Sequence, residues 1–339
     1  MAGGTGSVLI SQQLRPNDVV RFSTPHVALA PIAGLQMSAG AVEAGNLLLV
    51  RCNRAEWETA ERAYVFKDWH TQYYEANPVF LLRQYEPPFE PQHIQNALDD
   101  LQSAGRRLVT GLRLLKPGSV LEPVYTARFV VSDGLTVREL GPYRTEYLAM
   151  PLDGLTWMLE DAEAEGIGRL VATIEAVESI RDTAGLLATI DQFNLAHTPL
   201  VSNALSVHLL LTAITMVFAD EGASGPRSAA TMYNRAMLAM RWASPPLDPA
   251  IETFYRERVQ SLRNLVHHHS LAQNEAELDE AKTNLSWSLR VGIRLLMQAY
   301  LRRSPIDVAT PRQTLNRALD RFDAGDASGL EAIIRPPAG

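Results

Sequence analysis

Apolar residues recur every three to four positions through five successive stretches of the second half of the chain. That period predicts helices over 186–196, 203–219, 227–242, 250–267 and 275–302. Gly222, Gly225, Pro245, Pro246 and Pro249 punctuate the links between several of them. Five helices of these lengths on short links imply an antiparallel bundle. The first half has a different texture. Strand-like runs at 7–10, 19–22, 27–29 and 47–51 alternate with turn formers, and a well-phased helix covers 92–115 through Ile94, Leu98, Leu101, Leu108, Leu112 and Leu115. Lys116-Pro117-Gly118 stops that helix, and a strand at 125–131 before the Ser132-Asp133-Gly134 turn predicts a β-hairpin.

From residue 151 the pattern turns helical, with a helix at 155–165, a break at Gly166-Ile167-Gly168 and a second helix at 170–180. The expected fold class is therefore an α+β N-terminal domain followed by an all-α antiparallel bundle. Its parts are an α+β domain over 1–150, a helical connector over 151–184, the bundle over 185–304 and a partly helical, peripheral tail over 305–339.

Composition narrows the class without naming a function. At 339 residues, 46% hydrophobic and 20% charged, the chain can bury two sizeable cores. The most apolar run, 204–218, is too short for a membrane crossing and carries Ser206 and His208, so a buried helix is expected and no membrane partner. The first six residues lack the basic and apolar parts of a secretion signal, and the single Cys52 excludes an internal disulfide. Both point to the cytoplasm. The net charge of −7 is uneven, because residues 185–339 hold 15 Lys/Arg against 15 Asp/Glu. The helical half is thus the better host for a polyanion, through local patches.

Several residue groups admit two readings. The aromatic stretch around Trp57, Tyr64, Phe66, Trp69, Tyr73 and Tyr74, with Lys67 and His70, is either core or a base-stacking surface. Asp161, Glu163 and Glu165 either hold a cation or form a solvated helix end. Arg290 and Arg294, one turn apart, are either a phosphate track for RNA or a solvated face opposite Leu289, Ile293 and Leu296. His197 and His208 read as satisfied core histidines, while Tyr233, Arg235 and Trp242 carry no assigned role.

Catalytic residue types crowd at 261–270, Ser-Leu-Arg-Asn-Leu-Val-His-His-His-Ser. On a helical wheel with Arg263 at zero, Leu262, Leu265, Val266, Ile251, Tyr255 and Val259 fall on an arc of roughly 200–320°. Arg263, His267, Asn264 and His268 fall at roughly 0°, 40°, 100° and 140°, facing away from the helix's own core. A guanidinium fork matches phosphate oxygens, and an imidazole exchanges protons near neutral pH. The histidine run has poor geometry for tetrahedral zinc and no neighbouring cysteine or carboxylate, so no metal and no cofactor is expected.

The motif Arg263-Asn264-x-x-x-His268 resembles the signature of the HEPN superfamily, and the surrounding FYRERVQSLRNLVHHHS looks most like its Apea-like branch. The resemblance implies a four- to five-helix bundle that dimerises through the Arg263/His268 face, and a metal-independent endoribonuclease in which RNA supplies its own 2′-hydroxyl nucleophile. Cleavage would leave 2′,3′-cyclic phosphate and 5′-hydroxyl ends. Arg263 would clamp phosphate, His268 would act as acid and base, with His267 its rival, Asn264 would orient either group, and His269 would help bind RNA. The family also suggests a setting in antiviral defence or growth arrest, with a regulatory trigger or partner at the N-terminal domain. A toxin branch carries tyrosine two places after the histidine, where this chain has Ser270. The alternative is a non-catalytic scaffold that docks RNA, a nucleotide or protein. A purely structural reading instead pairs Arg263 with a bundle carboxylate and leaves the histidines merely exposed.

Overall fold

The fold is taken from a computed structural model. It describes residues 26–32, 34–38, 40–44, 47–51, 79–85, 91–118, 120, 126–132, 134–140, 157–198, 201–222, 225–267, 275–304 and 306–335. The chain divides into two compact units, Met1–Ala172 and Thr173–Gly339.

The first unit is built on strands β1 (His26–Ile32), β2 (Leu35–Met37), β3 (Ala41–Ala44), β4 (Leu47–Arg51) and β5 (Val79–Tyr85), helix α1 (Pro91–Leu115), and strands β6 (Thr126–Ser132), β7 (Gly134–Leu140) and β8 (Trp157–Leu159). Six strands form one antiparallel sheet in the order β3-β4-β5-β1-β6-β7, and β2 pairs parallel with β8. The β6–β7 hairpin closes with Ser132 opposite Gly134, as the turn residues predict. Helix α1 packs on the central strands β1, β5 and β6. Its Leu101, Leu108 and Leu112 meet Leu47, Leu49, Val79 and Leu81, every second residue of β4 and β5, in one buried core. The stretches 7–10 and 19–22 and the aromatic cluster at 57–74 lie outside the described residues.

Two expectations for the connector are corrected. Residues 157–159 are a strand, because Trp157 and Leu159 point into the core beside Leu35 and Met37. Gly166 and Gly168 lie inside helix α2 (Ala164–Glu178), which runs through them with Ile167 buried. The acidic run is helix-starting chemistry. Asp161 accepts from the Ser38 hydroxyl at 2.7 Å, Glu163 pairs with Lys116 at 2.6 Å, and Glu165 pairs with Arg169.

The second unit contains α3 (Ala184–Ala196), α4 (Asn203–Phe218), α5 (Pro226–Ala243) and α6 (Pro249–Thr253). It continues through a π-helical turn (Phe254–Arg258) into α7 (Val259–His267), then α8 (Glu275–Arg302), α9 (Pro311–Asp323) and α10 (Ser328–Ile334). Helix α4 is apolar nearly all round and sits at the centre, packed on α3, α5 and α8. Among the described residues, no helix is long and apolar enough to cross a membrane.

The expected peripheral tail is instead part of this unit's core. Leu315, Leu319, Leu330 and Ile333 of α9 and α10 are buried, and Trp242 meets Phe322 edge-on at 5.5 Å. The strongest tie is Arg235, only 5% exposed. Its guanidinium grips both oxygens of Asp320 at 2.8 Å, and also reaches Asp220 at 2.9 Å and the Phe218 carbonyl at 3.0 Å. Polar composition hid these helices, since their apolar stripes are short.

At the α4–α8 crossing, Gly292 faces the fully buried Phe218, and a Cβ there would overlap the Phe218 ring. Gly292→Ala gains about 1 kcal/mol of helix propensity but overpacks the crossing at a cost of about 1–3 kcal/mol. The variant is expected to shift the urea midpoint down, and Phe218→Leu should partly suppress the loss when combined with it. A Gly292→Ala protein as stable as wild type would contradict this packing.

Candidate functional site

The helix expected over 250–267 is interrupted. Asp248 caps α6 by accepting from the Ala250 N–H, and five residues then form a π turn in which the Val259 N–H bonds the Phe254 carbonyl. The wider turn lets Phe254 and Tyr255, adjacent in sequence, both be buried, followed by Val259 and Leu262. Such single π turns insert one extra residue into a helix and recur at functional sites.

Downstream of that turn, α7 carries Gln260, Arg263 and Asn264 on the face predicted to look outward. Arg263 is half-buried and Asn264 exposed, and Gln260 donates to the Asn264 side-chain carbonyl at 3.4 Å. His267 closes α7 one turn after Arg263. His268, His269 and Ser270 lie outside the described residues.

Among the described residues Arg263 is paired with no carboxylate. Its neighbour is Tyr233 of α5, a residue that sequence reasoning left without a role. Tyr233 is 2% exposed, and its hydroxyl has no well-formed hydrogen bond among the described residues. Burial pushes the phenol up to about 12, while the Arg263 charge beside it pulls the other way by favouring the phenolate. Behind Tyr233 stands Tyr255, whose hydroxyl donates to the Asn284 carbonyl at 3.0 Å and lies 2.7 Å from the Ser288 hydroxyl. Burial raises that phenol too, against the Ser288 hydrogen bond and with a further push from Tyr233. The half-exposed guanidinium thus has one buried phenol beside it, and a second, Tyr255, is hydrogen-bonded to α8. The neutral phenol lies beside Arg263 without neutralising its charge.

The arginines of α8 behave differently from either expectation. Arg290 is 7% exposed, with its guanidinium over the Phe193 ring, and Arg294 donates to the Arg290 carbonyl at 3.1 Å. Burial, with the charge of Arg294 next, pushes Arg290 down to about 10. Arg290 therefore forms neither an open phosphate track nor a solvated face. His197 is satisfied as expected, with Nδ1 2.7 Å from the Phe193 carbonyl and Nε2 3.1 Å from the Ser286 hydroxyl. Among the described residues, no group of three or more His, Cys, Asp or Glu is placed to hold a metal.

Comparison with protein-family models, with curated proteins and with solved structures returns no match.

The raised tyrosines set a pH dependence. A phenol whose pKa is higher in the folded chain than the usual value of about 10 gives stability that is whole below that pH and is lost as pH climbs through the folded value. Denaturation midpoints measured from pH 9 to pH 12 should fall, and Tyr233→Phe should flatten the fall by on the order of 2 kcal/mol. A variant with the wild-type slope would remove Tyr233 from its buried place beside Arg263.

Proposed function

We propose that this chain is a metal-independent endoribonuclease of the HEPN type, acting as a homodimer through the α7 face. The observation that carries the reading is Arg263 itself. It is half-buried near the end of α7 in a helical bundle, with a buried phenol beside it and without a carboxylate partner among the described residues. The charge of such a group is available to a phosphodiester.

RNA brings its own nucleophile, so the protein needs a base, an acid and a cation. In this reading His268 of one protomer takes the proton from the 2′-hydroxyl, whose oxygen attacks phosphorus. The bond to the 5′ oxygen breaks, and the second protomer's histidine returns a proton to it. Arg263 neutralises charge gathering on the phosphoryl oxygens, and Asn264 orients the phosphate or the imidazole. Tyr233 is a positioning residue packed beside Arg263. His267 is the rival acid-base group and His269 an RNA contact. In this reading RNA meets α7 and the histidines after it, and Arg290, being buried, offers no open contact. The setting in this reading is cytoplasmic antiviral defence or growth arrest, with the N-terminal unit restraining or triggering the nuclease.

Purified protein should cleave total RNA or tRNA in the presence of EDTA and leave 2′,3′-cyclic phosphate ends. Arg263→Ala and His268→Ala should each lose about 10²–10⁴-fold in rate while remaining folded and dimeric by light scattering. Wild-type protein that binds RNA without cutting it, with candidate triggers present, would make the bundle a docking scaffold. Cleavage abolished by EDTA would return the histidine run to metal chemistry.

A further inference from the structure

A cavity of about 310 Å³ opens where the end of α8 and the segment after it meet α9 and α10. Arg302, Arg303, Arg317 and Arg321 line it, with Asp307 as the one carboxylate. Ala299, Ala318 and Ile333 supply apolar wall.

Three other arginines of this unit are matched to acids. Arg235 grips Asp220 and Asp320, Arg258 pairs with Glu280, and Arg312 with Glu221. Among the described residues, no carboxylate forms an ion pair with any of the four cavity arginines. Asp307 is turned to the chain, accepting from the Ser304 N–H at 2.8 Å. Asp326 is held low first by its hydrogen bonds with Ser328 and only last by the Arg321 charge, and it is fully exposed, where solvent screens it. Arg302 is fixed in place by donating to the Ala332 carbonyl at 2.6 Å, which leaves further N–H groups of its fork for a ligand. Four like charges thus gather around one hollow in a chain of net charge −7, and three of them, Arg303, Arg317 and Arg321, are exposed where a dissolved anion can reach them.

We propose that this cavity binds a small phosphomonoester of mononucleotide size, with the phosphate among the arginines and the organic body against the alanine and isoleucine wall. Guanidinium forks match a phosphate dianion. The volume lies at the small end of the roughly 300–1,000 Å³ that ligand pockets span, too small for a folded polymer. The site is independent of the ribonuclease reading.

The test is calorimetric titration of the full chain with AMP, inorganic phosphate and adenosine. AMP should bind saturably, phosphate more weakly, adenosine not measurably, and added salt should weaken the phosphate-bearing ligands. Arg303→Ala with Arg317→Ala, both exposed and so compatible with folding, should raise the AMP Kd by about tenfold or more. Thr314→Trp keeps all four charges but fills the hollow, and should abolish AMP binding. The proposal is overturned if neither AMP nor phosphate binds. It is equally overturned if Thr314→Trp leaves AMP affinity unchanged, which would mean open-surface attraction. Binding of single-stranded RNA through these arginines without AMP binding would also refute it.

Discussion

The helical unit turns on a single buried charge. Arg235 lies inside the bundle, and an unpaired guanidinium there would be strongly unfavourable. Its position is tenable because three elements meet it at once: the last carbonyl of α4, Asp220 just beyond, and Asp320 on α9. Removing any of the three would leave a buried donor unsatisfied, so the arginine couples segments about 85 residues apart in sequence to one another. The Phe218 carbonyl it holds belongs to the residue whose ring occupies the place left by Gly292. The polar tie and the α4–α8 crossing therefore share a residue, and α4, α5, α8 and α9 are set together.

Much of this arrangement was legible in the sequence, and the reason is local. The helices from 184 to 302 are long apolar-rich runs, one-sided in α5 and α7 and apolar nearly all round in α4, and proline or glycine stands near several of their ends, so their bounds fall within a few residues of expectation. The β6–β7 hairpin was legible through its turn residues. What could not be read depends on partners far along the chain. Trp157–Leu159 became a strand through pairing with β2, and α9 looked peripheral because its anchor, Arg235, lies in another helix. The π turn also escaped, since a regular wheel has no room for an extra residue.

The candidate site divides the same way. Arg263 and Asn264 could be found from spacing and from their place opposite the apolar stripe. Tyr233 could not, because its role comes from burial and from the guanidinium beside it, and nothing in its own neighbourhood of sequence signals either. Arg290 shows the reverse failure: a cation at regular helical spacing looked like surface, yet packing against Phe193 takes it inside. A charged residue's function is set by what desolvates it, and that is a property of the fold.

The π turn has a consequence for how the site is held in phase. One inserted residue resets the helix by about 100°, so the azimuth of Arg263 is fixed by a residue count upstream as well as by packing. Phe254 and Tyr255 lock that count by burying two adjacent rings, which a regular α-helix would splay. The turn works as a phase register, and losing one residue from it would swing the guanidinium away from Tyr233 even if every side chain of α7 were unchanged.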